Sequence, residues 1–376
     1  MEMPLPRLTL RPTLYRRLAD LVLVAGVVGS FLGWQYAAGQ LRDGDERYFD
    51  SLATAKTERV VDYLERYLDL SVSLSALFHA SADVTREEFH DHFVSLRPQD
   101  RFPALQALQF AQKVPAQEKE AFEARVRADT SLHPLGYPEF NIHPVSAAED
   151  YLPIVYNEPM GGNEAAFGLD VAAEPRARRV TEHARETGRP TVSAPAMLVQ
   201  GRQELRGLVI RTAVYRHGER DQTLEDRRAA FIGVVCVVLR ATDLLRNALD
   251  DHDASRFHVR ITDIGEEGFH AGDEPEPRTM LFDAAEAWAH AYELPEEPRA
   301  RDRRVTVKAV AGRMWEVAVT RRPVSYLTQP YPMSVLLGAL GGSLALWAAL
   351  RIFMGRYSPA PSLAAGVRSA RSDAAG

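Results

Sequence analysis

Two apolar segments, LVLVAGVVGSFLGWQYAAG at residues 21–39 and YPMSVLLGALGGSLALWAAL at residues 331–350, decide how this chain is organised. Each has close to the roughly 20 residues that a helix needs to cross a bilayer. Neither contains a charged side chain, whereas residues 40–330 between them have the mixed composition of a water-soluble domain. We therefore predict two transmembrane helices, 21–39 and 331–350, on either side of an outer region, 40–330.

Arginine residues flank both spans on the side that the positive-inside rule assigns to the cytoplasm. They are Arg7, Arg11, Arg16 and Arg17 before the first span, and Arg351, Arg356, Arg368 and Arg371 after the second. The tails 1–20 and 351–376 are therefore predicted to be cytoplasmic, the second of them disordered. This places residues 40–330 in the periplasm or outside the cell, and the protein in a bacterial inner membrane.

Both spans have an alternative interpretation. The first resembles a cleaved signal peptide, but its apolar core is longer than usual and no Ala-x-Ala cleavage site follows it. The second is also compatible with a buried core helix, but its length, its glycine content and the arginine that ends it favour a membrane span.

The composition excludes several classes of function. With 45 basic and 51 acidic residues in 376, the net charge of −6 does not indicate a nucleic-acid-binding protein. The single cysteine, Cys236, lies in the apolar run FIGVVCVVL and is predicted to be a buried hydrophobic residue. His90 and His92 point apart on a helix, so they make a poor metal site. No phosphate loop, zinc spacing or hydrolase motif is present, so we predict no cofactor, no metal and no catalysis.

A long helix follows the first span. Apolar residues recur from Phe49 with alternating spacings of four and three, interrupted by one lysine: Phe49, Ala53, Lys56, Val60, Tyr63, Tyr67, Leu70, Leu74 and Leu77. This pattern predicts a stalk helix over 40–84 that packs on another helix. The partner is either the stalk of a second copy, giving a parallel homodimer, or the helix's own domain.

The rest of the outer region alternates helical and strand patterns. A capping box, Thr85 with Glu88, begins a short helix, and Gly188 ends a helix over 175–187. Strands are predicted over 105–111, 140–143, 152–156, 191–200 and 208–216, and in a second unit over 229–239, 257–262, 305–310 and 314–320. The fold class is therefore α+β, with one unit over 85–216 and another over 217–330.

Five segments of the first unit carry a family resemblance through their order and spacing. They are RFPALQALQFAQKVP (101–115), EDYLPIVYNEP (149–159), NEAAFGLD (163–170), HARETGRPTVSAP (183–195) and LVIRTAVYR (208–216). Placed in this order between two membrane spans, they resemble the CHASE family of extracellular sensor domains.

The resemblance implies a long stalk helix followed by two PAS-like α/β subdomains, with a small-molecule ligand bound by the membrane-distal one. It implies a pocket wall formed by the strands 191–200 and 208–215, with five residues nearest the ligand: Ser193, Met197, Val199, Arg211 and Tyr215. In the plant branch of the family an acidic residue grips an adenine-derived cytokinin, but Ala177 occupies that position here, and Arg211 replaces a small hydroxyl residue. An arginine favours an anionic ligand group instead, because its planar fork matches carboxylate or phosphate.

We therefore expect a two-span sensory receptor that signals through a separate kinase or cyclase, or through an output domain missing from this chain. One alternative is a tethered CHASE module that binds a ligand but does not signal. Another is a membrane-anchored hydrolase that uses four carboxylates: Asp150, Glu158, Asp170 and Glu174.

Overall fold

The computed structural model describes residues 12–198, 206–268, 276–292, 294 and 299–356. Their α-helices are α1 (Pro12–Ala80), α2 (Arg86–Ser95), α3 (Pro98–Arg101), α4 (Lys119–Arg127), α5 (Pro175–Thr187), α6 (Leu224–Ala230), α7 (Ala241–Leu249), α8 (Ala284–Ala287) and α9 (Pro330–Arg356). Their strands are β1 (Leu105–Gln112), β2 (Val114–Pro115), β3 (Asp150–Tyr151), β4 (Ile154–Glu158), β5 (Thr191–Val192), β6 (Ala196–Met197), β7 (Arg206–Tyr215), β8 (Phe231–Arg240), β9 (Phe257–Glu266), β10 (Thr279–Asp283), β11 (Arg303–Val310) and β12 (Arg313–Arg321). The α+β class and the long N-terminal helix are confirmed.

The chain forms two compact units, one from the residues up to Phe49 with those from Pro323 onwards, and one over Asp50–Arg322. In the first unit, the start of α1 packs against α9 through small residues: a Cβ atom at Gly26 would collide with the side chain of Ser343. Both helices are long and apolar enough to cross a membrane, and none of the most apolar window of α9 is buried. Such exposure is typical of a lipid-facing helix and not of a core helix.

In the second unit, α1 packs on its own domain. Tyr67 accepts a hydrogen bond from the Ala104 amide at 3.2 Å, and the rings of Phe78 and Phe110 lie 4.3 Å apart. Most of the predicted stripe is buried, namely Phe49, Ala53, Lys56, Val60, Tyr67, Leu70 and Leu74. The stripe therefore packs within the chain, as the second of the two interpretations predicts, and a homodimer through the stalk helix stays a prediction. The apolar pattern predicts that the helix packs against a partner, but it does not identify that partner.

The first sheet has the strand order β4-β1-β8-β7-β5, with β6 also paired to β7. Its pairings are antiparallel, and β8 lies in the centre between β1 and β7. This apolar strand was predicted to belong to the unit over 217–330 together with β9, β11 and β12, which is wrong because β8 lies in the first sheet. A continuous apolar run needs burial on both faces, and only the central position supplies it.

The second sheet is smaller, with the order β10-β9-β12-β11. The strands predicted at 257–262, 305–310 and 314–320 are confirmed as β9, β11 and β12. A two-residue turn joins β11 to β12, and both of its residues, Ala311 and Gly312, have positive φ angles of 45° and 89°. Two positive φ angles match the right-handed twist of a tight hairpin.

The residues predicted to cap the ends of two helices are confirmed. The Thr85–Glu88 capping box is present at α2. Helix α5 begins with Pro175 and ends at Gly188, whose φ of 68° favours glycine.

The predicted strand over 140–143 is wrong, since only His143 makes an isolated bridge there. Proline residues on both sides of this segment cannot donate to a strand ladder.

Candidate ligand-binding site

The two faces of the first sheet differ in what covers them. One face packs on α1, where the hydroxyls of Ser71 and Thr212 lie 2.8 Å apart. Side chains alternate along a strand, so Arg211 points to the opposite face. Cross-strand partners share a face, and a polar row therefore crosses the sheet beneath the loops after β4, namely Thr191, Arg211, Cys236, Gln109 and Asn157.

Arg211 is the charged member of this row. Its side chain is only 6% exposed, and its Nε and Nη1 atoms have no hydrogen-bond partner. No carboxylate of the described residues forms an ion pair with it. A buried charge without a counter-charge is costly, so this position requires something that the described chain does not supply.

Cys236, the cross-strand neighbour of Arg211, does not act as its counter-ion. The thiol is 1% exposed, which confirms its predicted burial. Burial raises the pKa of the Cys236 thiol, and the charge of Arg211 only partly opposes this. The thiol therefore stays neutral near pH 7 and packs in an apolar cluster that includes Ala213 and Phe231.

The far end of the row is a closed network of amides. Gln109 donates to Asn157 at 3.0 Å, and Asn157 donates to the Asn163 carbonyl at 2.8 Å. Asn163 in turn accepts from Gln106 at 2.9 Å. These uncharged groups orient one another and fix the loop that begins after β4 against the sheet.

Ser193 lies on the same face as Arg211. Its amide donates to the Val209 carbonyl at 2.9 Å, and its hydroxyl accepts from the Val209 amide at 3.0 Å. It is half-buried and directly extends the pairing of β5 with β7. Ser193 therefore stays a prediction as a ligand-site residue.

Met197 does not share this face, because the register changes between Ser193 and Ala196. Ala196 pairs with Gly207, so Met197 pairs with Arg206 and points away from the Arg211 side. Its side chain is 50% exposed. Leu198 instead covers this side, where a Cβ atom at Gly207 would collide with it. Simple alternation through Pro195 gave the wrong face, and Val199 lies outside the described residues.

Tyr215 is buried on the Arg211 side and has a structural contact. Its hydroxyl donates to the Arg185 carbonyl of α5 at 2.7 Å. Burial raises the pKa of Tyr215 to about 12, so the hydroxyl stays protonated at physiological pH. The hydroxyl connects β7 to α5 and is therefore engaged within the protein.

A cavity of about 470 Å³ opens along the same face of the sheet, beside α5. Its charged lining includes Lys113, Arg178, Glu182 and Arg185, and Phe231 of the apolar cluster contributes to its wall. The volume lies in the range of small-molecule sites. The charged residues of this lining were not predicted from the sequence. The spacing of residues 178, 182 and 185 could have indicated three of them, because it places them on one side of α5.

The four carboxylates of the hydrolase alternative do not converge. Asp150 pairs with Lys113 at 3.1 Å and Glu158 with His90 at 3.1 Å. Asp170 accepts from the amides of Leu152 and Ala172, and Glu174 caps α5. Each group has its own structural contact, which does not support a shared catalytic centre.

Comparison with known proteins gives a family match. Residues 82–281, more than half of the 376 residues, match the CHASE domain. A hybrid signal transduction histidine kinase A of Dictyostelium discoideum is 28% identical over 135 residues, which cover 33% of this chain and 6% of that protein. The chain thus spans a small fraction of the length of this relative.

Solved structures with similar architecture include sensory domains of bacterial chemoreceptors. The ligand-binding domain of the amino acid chemoreceptor PctC of Pseudomonas aeruginosa PAO1, in complex with GABA, matches with a TM-score of 0.40 and 14% identity, covering 74% of this chain and 100% of that one. The periplasmic sensory domain of the Campylobacter jejuni chemoreceptor Tlp1 matches with a TM-score of 0.41 and 14% identity, covering 75% and 96%. Both TM-scores lie below 0.5, so the family match identifies the chain and these structures do not.

Proposed function

The chain belongs to the CHASE domain family, and on this premise we propose that it is a membrane-bound sensory receptor whose outer domain binds a small molecule. One observation carries the proposal: the CHASE region lies between two helices that are long and apolar enough to span a bilayer. We assign no catalytic activity to the described residues.

Contacts within the two-helix unit support cytoplasmic termini. Asp20 lies at the start of the first apolar segment and pairs with Arg351 after the second, at 2.6 Å. Trp34, near the other end, donates to the Leu327 carbonyl at 2.9 Å. The helices therefore run antiparallel, with Arg16 and Arg17 of α1 at the same end of the pair as Arg351 of α9, and the positive-inside rule assigns that end to the cytoplasm.

We place the ligand site on the Arg211 side of the first sheet, which we take to be the membrane-distal subdomain. The Nε and Nη1 atoms of Arg211 have no hydrogen-bond partner among the described residues, and Ser193 lies on the same face. A charged cavity that neither residue lines opens beside α5. Val199 stays a candidate because the family resemblance implies it. In the set of candidate residues, we replace Met197 with Leu198, which lies on the Arg211 side.

We propose that ligand binding favours one of two arrangements of α1 and α9, because a ligand shifts an equilibrium only through differential affinity. A separate kinase or cyclase, or a domain attached to a longer chain, would supply the output. A chain that binds a ligand but never co-purifies with such a partner in its native membrane would support a non-signalling module instead.

The topology is tested with a reporter that fluoresces only in the cytoplasm. Fused after Gly376 it is expected to fluoresce, and fused after Gln329, before the second span, it is expected to stay dark. The membrane fraction should contain the full chain. A dark fusion at Gly376, or a full chain that stays dissolved without detergent, would contradict the receptor proposal.

A further inference from the structure

The buried arginine of the first sheet indicates what class of ligand the site accepts, and this inference rests on the proposed function. Arg211 is 6% exposed, with two of its three guanidinium nitrogens unpartnered. Burying an ion costs several kcal/mol unless a counter-charge and hydrogen bonds compensate. None of the described residues supplies that counter-charge, and a bound anion would supply it.

The neighbours of Arg211 define the charge that such a partner needs. The other members of the row, Thr191, Cys236, Gln109 and Asn157, are uncharged. Burial keeps the Cys236 thiol protonated. The row therefore carries a single positive charge, which one negative charge neutralises, whereas a phosphate dianion would bring an uncompensated second charge.

We propose that the ligand carries a carboxylate that pairs with Arg211. The planar guanidinium donates to both oxygens of a carboxylate, and charge-assisted hydrogen bonds of this kind are about twice as strong as neutral ones. Binding relieves the cost of the buried charge, so the carboxylate stabilises the fold as well as the complex.

The probe for this proposal is acetate, a small carboxylate with a single negative charge. The melting temperature of the full chain in detergent micelles is measured against sodium acetate, with sodium chloride at the same ionic strength as reference. We expect the melting temperature to rise with acetate beyond the chloride series. A wild-type protein that melts identically in both salts overturns the proposal.

Two substitutions change the charge balance in opposite ways. Arg211→Met removes the charge at similar length, so the melting temperature should equal or exceed that of the wild type without acetate, and the acetate response should vanish. Cys236→Asp supplies a carboxylate beside Arg211 at nearly unchanged volume. It should bring the melting temperature to that of the acetate-saturated wild type, again without a response.

Matched controls separate charge from packing. Cys236→Asn has the shape of the aspartate without its charge and should not reproduce the rise in melting temperature that Cys236→Asp gives. Arg216→Met, at an exposed arginine just beyond β7, should keep the acetate response. An acetate response that survives in Arg211→Met, or a melting temperature that falls in both Arg211→Met and Cys236→Asp, overturns the proposal. Cys236→Asp keeps the test decisive if Arg211→Met does not fold.

Two measurements distinguish an error in the carboxylate assignment from an error in the receptor proposal. A panel of neutral nucleobases and of amines is measured in the same assay. A neutral or cationic compound that raises the melting temperature equally in wild type and Arg211→Met overturns the carboxylate assignment and leaves the receptor intact. A reporter at Gly376 located outside the cell overturns the receptor without changing the acetate result.

Discussion

Two buried arginines, one in each sheet, have opposite surroundings. Arg211 in the first sheet has no ion pair among the described residues. Arg313 in the second sheet is 2% exposed, donates to Asp263 through Nε at 3.0 Å, and lies 2.7 Å from Glu276. The buried arginine of the second sheet therefore has carboxylates within ion-pair distance, whereas the buried arginine of the first sheet has none among the described residues.

The surroundings of Arg313 show how this chain compensates a buried charge when no ligand is involved. Asp263 is fully buried and also accepts from the Trp315 indole at 3.1 Å. Burial alone would lower the pKa of Arg313, but Asp263 and Glu276 outweigh it and raise the pKa. The two carboxylates therefore stabilise the charged form of the Arg313 guanidinium.

The largest expected effect comes from making the second sheet resemble the first. Asp263→Ala leaves Arg313 and the Trp315 indole buried without their shared acceptor. We expect a loss of about 3–5 kcal/mol in the free energy of unfolding, because removing one member of a buried pair leaves an uncompensated charge. Denaturant unfolding of the full chain in micelles measures it. A loss below about 1 kcal/mol would mean that pairing does not distinguish the sheets.

A smaller effect should follow from pH, and it should come from the second sheet. Burial lowers the pKa of His258, and the neighbouring Asp283 opposes this only in part. Burial would raise the pKa of Asp283, but hydrogen bonds from Arg260 and His258 outweigh it and hold the pKa below 3.8. As the pH falls, His258 and Asp283 are each protonated in the unfolded chain before they are protonated in the folded chain. The free energy of unfolding therefore decreases as the pH falls.

The His258 contribution should be present above pH 6.5, its unperturbed pKa, and be lost as the pH drops through the lower folded value. His258→Gln keeps a hydrogen-bonding group towards Asp283 and should flatten the fall in melting temperature between pH 7 and pH 5. His290→Gln at an exposed histidine is the control. Equal slopes in wild type and His258→Gln would contradict this assignment. Arg211→Met leaves His258 and Asp283 of the second sheet unchanged and should keep the wild-type slope.

Tyr215→Phe tests whether the second candidate on β7 belongs to the ligand site or to the framework. Its hydroxyl donates to the Arg185 carbonyl, so its removal should cost about 1 kcal/mol. The acetate response should be unchanged. A response that disappears with stability intact would assign the hydroxyl to the ligand.

The smallest effect is expected at Met197, which is half-exposed and points away from Arg211. Met197→Ala should change stability by less than about 0.5 kcal/mol, as exposed substitutions usually do. Leu198→Ala, on the Arg211 side, is the matched comparison and should cost more. A larger loss at Met197 than at Leu198 would reverse the faces of β6.

Several features of the candidate site were predictable from local sequence. Arg211 on an apolar strand, the helix that ends at Gly188 and the capping box at Thr85 each depend on neighbours in the chain, and the structure confirms their local environments. Met197 was assigned to the wrong face because a register change at Pro195 shifts the alternation by one residue. The cavity beside α5 was not predictable, since Lys113 and Phe231 reach it from distant parts of the chain.

The sequence by itself determined two membrane-length helices, the α+β class, the CHASE resemblance and the chemical character of the Arg211 strand, because these depend on hydrophobic length, periodicity and residue order along the chain. Three outcomes came from tertiary packing: α1 packs on its own domain, β8 lies between β1 and β7, and Arg313 has carboxylate partners whereas Arg211 has none among the described residues. These outcomes depend on which surfaces meet across long sequence separations, and an apolar stripe or a buried charge specifies that it needs a partner without specifying which one.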